Sequence, residues 1–119
     1  MPGADLQIPT GDGVVVYYPQ LVSYDHTKET YIIDSGSSVT ITSITGSGYV
    51  SIIYYGDGDG NFTLRINIDG NYEDEIPTNE KRIGVYTFNN VLSIELYNPA
   101  TVTGTYSSMS LSVRGFRYV

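Results

Sequence analysis

The sequence predicts an all-β fold: an antiparallel two-sheet β-sandwich of jelly-roll type, with an immunoglobulin-like sandwich as the runner-up. Three observations carry this. Ile, Val, Thr and Tyr are abundant and favour a pleated, half-buried surface, whereas alanine occurs only as Ala4 and Ala100 and no stretch spaces its apolar residues helically. Phe62, Leu64, Ile66 and Ile68 alternate with Thr63, Arg65, Asn67 and Asp69, the two-residue period of a strand with one face in a core. Turn signals divide the chain into about eight or nine short runs, the spacing of a sandwich or barrel. The absence of Trp and Cys weakens the immunoglobulin alternative.

The 119 residues suit one domain, with residues 1–13 as an N-terminal arm or linker and residues 14–119 as the sandwich. The arm carries two prolines and three glycines and shows no periodicity. Val14–Tyr18 is a short apolar strand stopped by Pro19, which has no amide to donate. Leu21–Thr30 holds the single histidine. Ser23, Asp25 and His26 sit too close along a polar turn to be expected to converge as a nucleophilic triad, so His26 reads as a solvated loop residue.

Thr30–Asp34 and Val39–Ile44 are strands. The parity of the second slips between Ile41 and Ile44, which predicts a bulge near Thr42 or Ser43. Tyr49–Tyr55 is apolar on both parities except at Ser51, so it should be covered on both faces, within the domain or by a neighbouring subunit. Asp57, Asp59 and Asn61 place oxygen donors at alternate positions of a glycine-rich turn, a calcium-like spacing. The rest of that pattern is missing: Phe62 stands where the sharp bend needs glycine, and Ile68 where a bidentate glutamate belongs. Calcium is therefore a weak candidate, and no other cofactor is implied.

Asp69-Gly70 predicts a hairpin turn of the primed type. Glu73, Asp74 and Glu75 then read as a solvated edge. Arg82–Phe88 and Val91–Tyr97 are strands, the latter with Leu92, Ile94 and Leu96 inward. In the closing stretch Met109, Leu111 and Val113 share a face. Gly115 interrupts them, and Phe116 and Tyr118 follow with shifted parity, predicting a second bulge or kink.

Net charge is −7, and the basic residues form only two small pairs, Lys81-Arg82 and Arg114 with Arg117. This argues against nucleic acid as a partner. No apolar run approaches the roughly 20 residues of a membrane helix, and the opening MPGADLQIPTGDG lacks the basic-then-apolar order of an export signal, so no membrane partner is expected. The acidic pairs Asp57 with Asp59 and Glu73 with Glu75 fall in turns or on polar faces. With one histidine and no cysteine, no enzymatic activity is expected. Twelve tyrosines exceed what one small core takes, and tyrosine suits interfaces. Tyr49, Tyr54, Tyr55, Tyr86, Tyr97, Tyr106 and Tyr118 are the candidate contacts between subunits.

The segments Ile44-Thr45-Gly46-Ser47-Gly48-Tyr49, Ile66-Asn67-Ile68-Asp69-Gly70 and Leu92-Ser93-Ile94-Glu95-Leu96, with the final SLSVRGFRYV, resemble small β-sandwich virion proteins of tailed bacteriophages. The resemblance covers about residues 37–119 and rests on turn glycines and alternating apolar positions. It implies a head decoration, fibre or tail accessory protein, made in the host cytoplasm and carried in the virion. It further implies a homo-oligomer, with a trimer favoured, against a major capsid or tail protein. It brings no catalytic residues. A carbohydrate-binding module or receptor-binding domain, with exposed tyrosines stacked on a glycan, is the alternative.

Overall fold

The computed structural model describes residues 6–10, 13–27, 30–56, 61–107 and 109–118. The regular elements among them are all strands. They are β1 (Leu6–Thr10), β2 (Gly13–Tyr17), β3 (Pro19–His26), β4 (Thr30–Ile33), β5 (Ser38–Thr45), β6 (Ser47–Gly56), β7 (Thr63–Ile68), β8 (Asn71–Pro77), β9 (Lys81–Phe88), β10 (Val91–Tyr97), β11 (Gly104–Ser107) and β12 (Met109–Tyr118). Eight of them form two four-stranded sheets. Sheet I has the order β3-β12-β6-β9 and sheet II the order β5-β10-β7-β8.

The antiparallel pairing is nested. β7 pairs with β8, β6 with β9, β5 with β10, β4 with β11, and β3 with β12. The chain from β3 onward is therefore one long folded ribbon. It is rolled so that β12 also meets β6 and β10 also meets β7. Two four-stranded sheets filled alternately in this way make a jelly roll, the topology expected from the sequence.

β1 pairs only with β2, as a hairpin that belongs to neither sheet. The run Val14–Tyr17 thus goes with the arm segment rather than with the sandwich sheets. The molecule is elongated, with extents of 56 × 27 × 18 Å. Its radius of gyration of 16.7 Å exceeds the about 13–14 Å of a compact domain this long.

The core fills the space between the sheets. Val50, Ile52, Tyr54, Leu111 and Val113 enter from sheet I, and Leu64, Ile66, Ile76, Leu92, Ile94 and Leu96 from sheet II; all are buried. Each such side chain stabilises the fold by roughly 1.5–3 kcal/mol relative to exposure. The alternation in β7 and β10 set by the sequence is the alternation observed.

Turn chemistry fixes the registers. Asp69 and Gly70 adopt φ of +51° and +91°, so both central residues of the β7–β8 turn are left-handed, as a type I′ turn requires. The Asp69 carboxylate accepts hydrogen bonds from the amides of Asn89, Asn90 and Val91 at 2.7–2.9 Å and so ties this turn to the β9–β10 turn. In β5 the register slips where Ile94 opposes Thr42 and Glu95 opposes Thr40, leaving Ile41 as the bulged residue. The bulge lies one residue before the expected Thr42.

Gly115 is not a bulge. β12 keeps an unbroken register with both β3 and β6 from Leu111 to Tyr118. The glycine answers a close approach instead: a Cβ there would lie 2.1 Å from the carbonyl oxygen of Tyr49 on β6. His26 is a further correction. It is not a solvated loop residue but the buried end of β3, opposite Leu111 on the core side, with its ring stacked on Tyr31 at 5.8 Å.

Candidate functional site

A strand with one face in the core leaves its other parity to solvent, and that parity is where the two sheets part ways. In β6 the inward residues Val50, Ile52 and Tyr54 are buried, and the outward ones are Tyr49, Ser51, Ile53 and Tyr55. Their partners across the ladder extend the face. Tyr49 lies between Phe116 and Thr87, Ser51 between Arg114 and Val85, Ile53 between Ser112 and Ile83, and Tyr55 between Ser110 and Lys81. On the far side of β12, Leu21 opposes Phe116, Ser23 opposes Arg114, and Asp25 opposes Ser112.

The result is a surface that is largely apolar along β6 and β9, crossed by Ser51 and Arg114 and bordered towards β3 by Ser112, Ser23 and Asp25. Leu21 is 71% exposed, Tyr49 49%, Ile53 47%, Tyr55 56%, Ile83 65% and Val85 70%. The Tyr49 and Phe116 rings lie tilted against each other with centroids 6.3 Å apart.

β9 is built against its own hydrophobic pattern. Its register with β6 puts Arg82 opposite Tyr54 and Tyr86 opposite Val50, so Arg82, Gly84 and Tyr86 take the inward parity and Ile83 and Val85 go out. Two features hold it there. Phe88, on the inward parity, is buried. Asp74 on β8 receives the inward polar groups: Arg82 Nη1 donates to its two carboxylate oxygens at 3.0 and 3.2 Å, and the Tyr86 hydroxyl donates at 2.7 Å. A bulge at Glu73 turns Asp74 inward, opposite Ile66. The acidic run is therefore not a simple solvated edge, because Asp74 clasps sheet II to sheet I. Burial first, and then the hydrogen bond to Asp74, push the Tyr86 hydroxyl up to about 12.

The charged side chains at outward positions of sheet I, among the described residues, are Asp25, Arg114 and Lys81. Arg114 Nη2 donates to both Asp25 oxygens at 2.8 Å, and Ser112 Oγ donates to the same carboxylate at 2.9 Å. These hydrogen bonds, led by Arg114, hold the Asp25 carboxyl below its ordinary range. Lys81 stands 5.8 Å from the centroid of the Tyr55 ring.

No family model matches the chain, and no curated protein does. Among solved structures, dimeric latent PorU from Porphyromonas gingivalis is similar over 86% of this chain and 13% of that one, at 12% identity and a TM-score of 0.34. The structure of infectious bursal disease virus Gx strain is similar over 96% of this chain and 36% of that one, at 12% identity and a TM-score of 0.33. The chain thus spans well under half the length of either. Likenesses at these scores carry no argument about function.

The tyrosines singled out by sequence divide by parity. Tyr49 and Tyr55 are exposed on the sheet I face, and Tyr118 is half-buried at its end, opposite Ser47 and Pro19. Tyr86 serves the clasp. Tyr97 lies on the outside of sheet II beneath the Arg65 guanidinium, 3.6 Å from the ring centroid. Tyr54 and Tyr106 are corrections: both are buried in the core beside Thr78, whose carbonyl oxygen accepts the Tyr54 hydroxyl at 3.1 Å, so neither can meet a subunit. Of the calcium candidates, Asp57 and Asp59 lie outside the described residues and Asn61 is exposed. Among the described residues no three His, Asp or Glu side chains converge to hold a metal ion.

Sequence reasoning missed Leu21, Ile53, Ile83 and Val85. A signal existed for Ile53, since β6 is apolar on both parities. In β9 the apolar pattern pointed the wrong way.

Proposed function

We propose that the chain is a non-enzymatic structural protein that works by docking through the outer face of sheet I. In its finer form the proposal is a bacteriophage capsid decoration or accessory protein. The observation that carries it is the apolar face itself. Contiguous exposed apolar area of this kind marks protein contact surfaces, and here a strand gives up its own hydrophobic pattern to build it. The finer reading is supported by the resemblance of the β5–β6, β7 and β10 motifs to tailed-phage virion sandwiches. The β1–β2 hairpin, joined to neither sheet, suits an arm that grips a neighbour.

A glycan-binding role is the second reading, favoured by Tyr49 and Tyr55 on one flat face. Between them on β6 stand Ser51 and Ile53, flanked along β9 by Val85 and Ile83, so much of the surface between the rings offers a sugar no hydrogen bond, which weighs against it.

The test is co-sedimentation with purified capsids of the encoding phage, alongside a glycan panel. Saturable capsid binding, weakened at least about tenfold by Ile53→Asp, is the expected result. Glycan retention without capsid binding overturns the proposal in favour of the second reading.

A further inference from the structure

The six exposed side chains on the sheet I face, Leu21, Tyr49, Ile53, Tyr55, Ile83 and Val85, together present roughly 700 Å² to solvent, close to the about 800 Å² per partner of a stable interface. A sheet face of this size takes one body across it. The geometry points to a second copy of this chain as that body: we propose that two copies pack sheet I against sheet I about a two-fold axis. The inference rests on reading this face as a docking surface, and it is independent of the virion assignment.

Charge favours a second copy. The chain carries 13 acidic residues and a net charge of −7. Asp25 is the sole acidic residue among the described outward positions of sheet I, and Arg114 neutralises it. Two copies repel through their other surfaces and meet here without that cost.

Relief favours it too. Ile53 and Tyr55 form a ridge along β6, and beside it Ser110 and Ser112 on β12 floor a furrow. A two-fold axis running along the strands between β6 and β12 lays the ridge of each copy into the furrow of the other. The same operation sets the β9 edge of one copy over the β3 edge of its mate, with Ile83 above the Arg114-paired Asp25, Val85 above Ser23 and Lys81 one row beyond. Sheets stacked this way pack about 10 Å apart with their strands within about 30° of each other, and the contact is isologous. A single flat contact of this type closes at two copies, in contrast to the trimer implied by the family resemblance.

The test is solution mass by light scattering over a dilution series of the full chain. The expected mass is twice 13.1 kDa, with a melting temperature that rises with concentration. Ile53→Asp should yield 13.1 kDa with a concentration-independent melt. Ser43→Asp, on the outside of sheet II, should remain a dimer. Should Ile53→Asp fail to fold, Val85→Thr carries the test, because it keeps both shape and strand preference; at least about a tenfold weaker dimer is expected. A monomer at every concentration, a trimer, or a dimer indifferent to both sheet I substitutions overturns the inference. Capsid binding that persists in a strictly monomeric protein and is lost in Ile53→Asp would leave the docking face standing and remove only the second copy.

Discussion

The two outer faces of the sandwich are made by the same rule and finish opposite. On sheet II the outward residues are polar and mutually engaged. Arg65 lies between the rings of Tyr97 and Tyr72, with centroids at 3.6 and 4.6 Å, and its Nε sits 3.0 Å from Glu75 Oε1. That N–H finds no well-aligned hydrogen-bond acceptor, so the pair is electrostatic in character. Ser38 Oγ donates to Glu95 at 3.2 Å. On sheet I the corresponding positions hold exposed Leu21, Tyr49, Ile53, Ile83 and Val85, beside Ser23, Ser51, Ser112 and the Asp25–Arg114 pair. The inward parity of both sheets answers to one core and has little freedom. The outward parity answers to whatever lies outside, and the exposed apolar residues of sheet I against the engaged polar ones of sheet II are the contrast on which the proposed docking role rests.

The strongest way to break this contrast is to destroy the flat face. Gly115→Val drives a side chain into the Tyr49 carbonyl, 2.1 Å from the new Cβ. A loss of about 3 kcal/mol or more is expected by urea unfolding. A variant of near-native stability would show that β6 and β12 do not need to approach so closely.

The clasp comes next, because it holds β9 in its inverted setting. Asp74→Ala leaves Arg82 and Tyr86 inward without their acceptor and should cost about 1–3 kcal/mol. Ultraviolet titration should find a tyrosine in the native protein ionising near 12, and at lower pH in the variant. Folded Tyr86 holds its proton more tightly than an ordinary tyrosine, whose pKa is 10.0. The contribution of Tyr86 is fully present below about pH 10 and is lost as pH climbs towards 12. An unchanged tyrosine titration would separate Tyr86 from Asp74.

The smallest effect compares two surface carboxylates. Asp25 on sheet I and Asp69 at the turn of sheet II are both held below the ordinary aspartate value of 3.8, the first chiefly by the Arg114 side chain and the second chiefly by the Val91 amide. Both contribute stability that is present above 3.8 and lost as pH falls through the depressed folded values. Added salt should weaken the Asp25 share more, since that partner is a mobile charge rather than a fixed amide. Acid unfolding of Asp25→Asn and Asp69→Asn at low and high salt reads this directly. Equal salt dependence of the two would contradict it.

Much of the fold was legible because local rules and global need agreed. β7 and β10 alternate as their core requires, Asp69-Gly70 turns as its residue types dictate, and the β5 bulge announced itself as a slip of parity. The candidate site was legible only in part. β6 offers apolar side chains to both faces, so the sequence pointed to its second face as unusual but not to the residues that flank it; in the structure that face is exposed. β9 misleads because Arg82 looks outward until Asp74 is brought across from β8, an approach that needs the bulge at Glu73. Tyr54 and Tyr106 look like interface residues until their hydroxyls are seen to share Thr78 in the core.

The nested ribbon also sets an order of events during synthesis. The innermost hairpin, β7 with β8, can close as soon as it is made. Asp25 and Ser112, bonded across β3 and β12, are 87 residues apart, so the outermost pair waits for nearly the whole chain to emerge. Pairings of such high contact order form slowly. Sheet I, with its apolar exterior and its central strand β12 arriving last, is then the half of the nascent protein most exposed to mispairing. The face left exposed after folding is thus also the one left open longest before it.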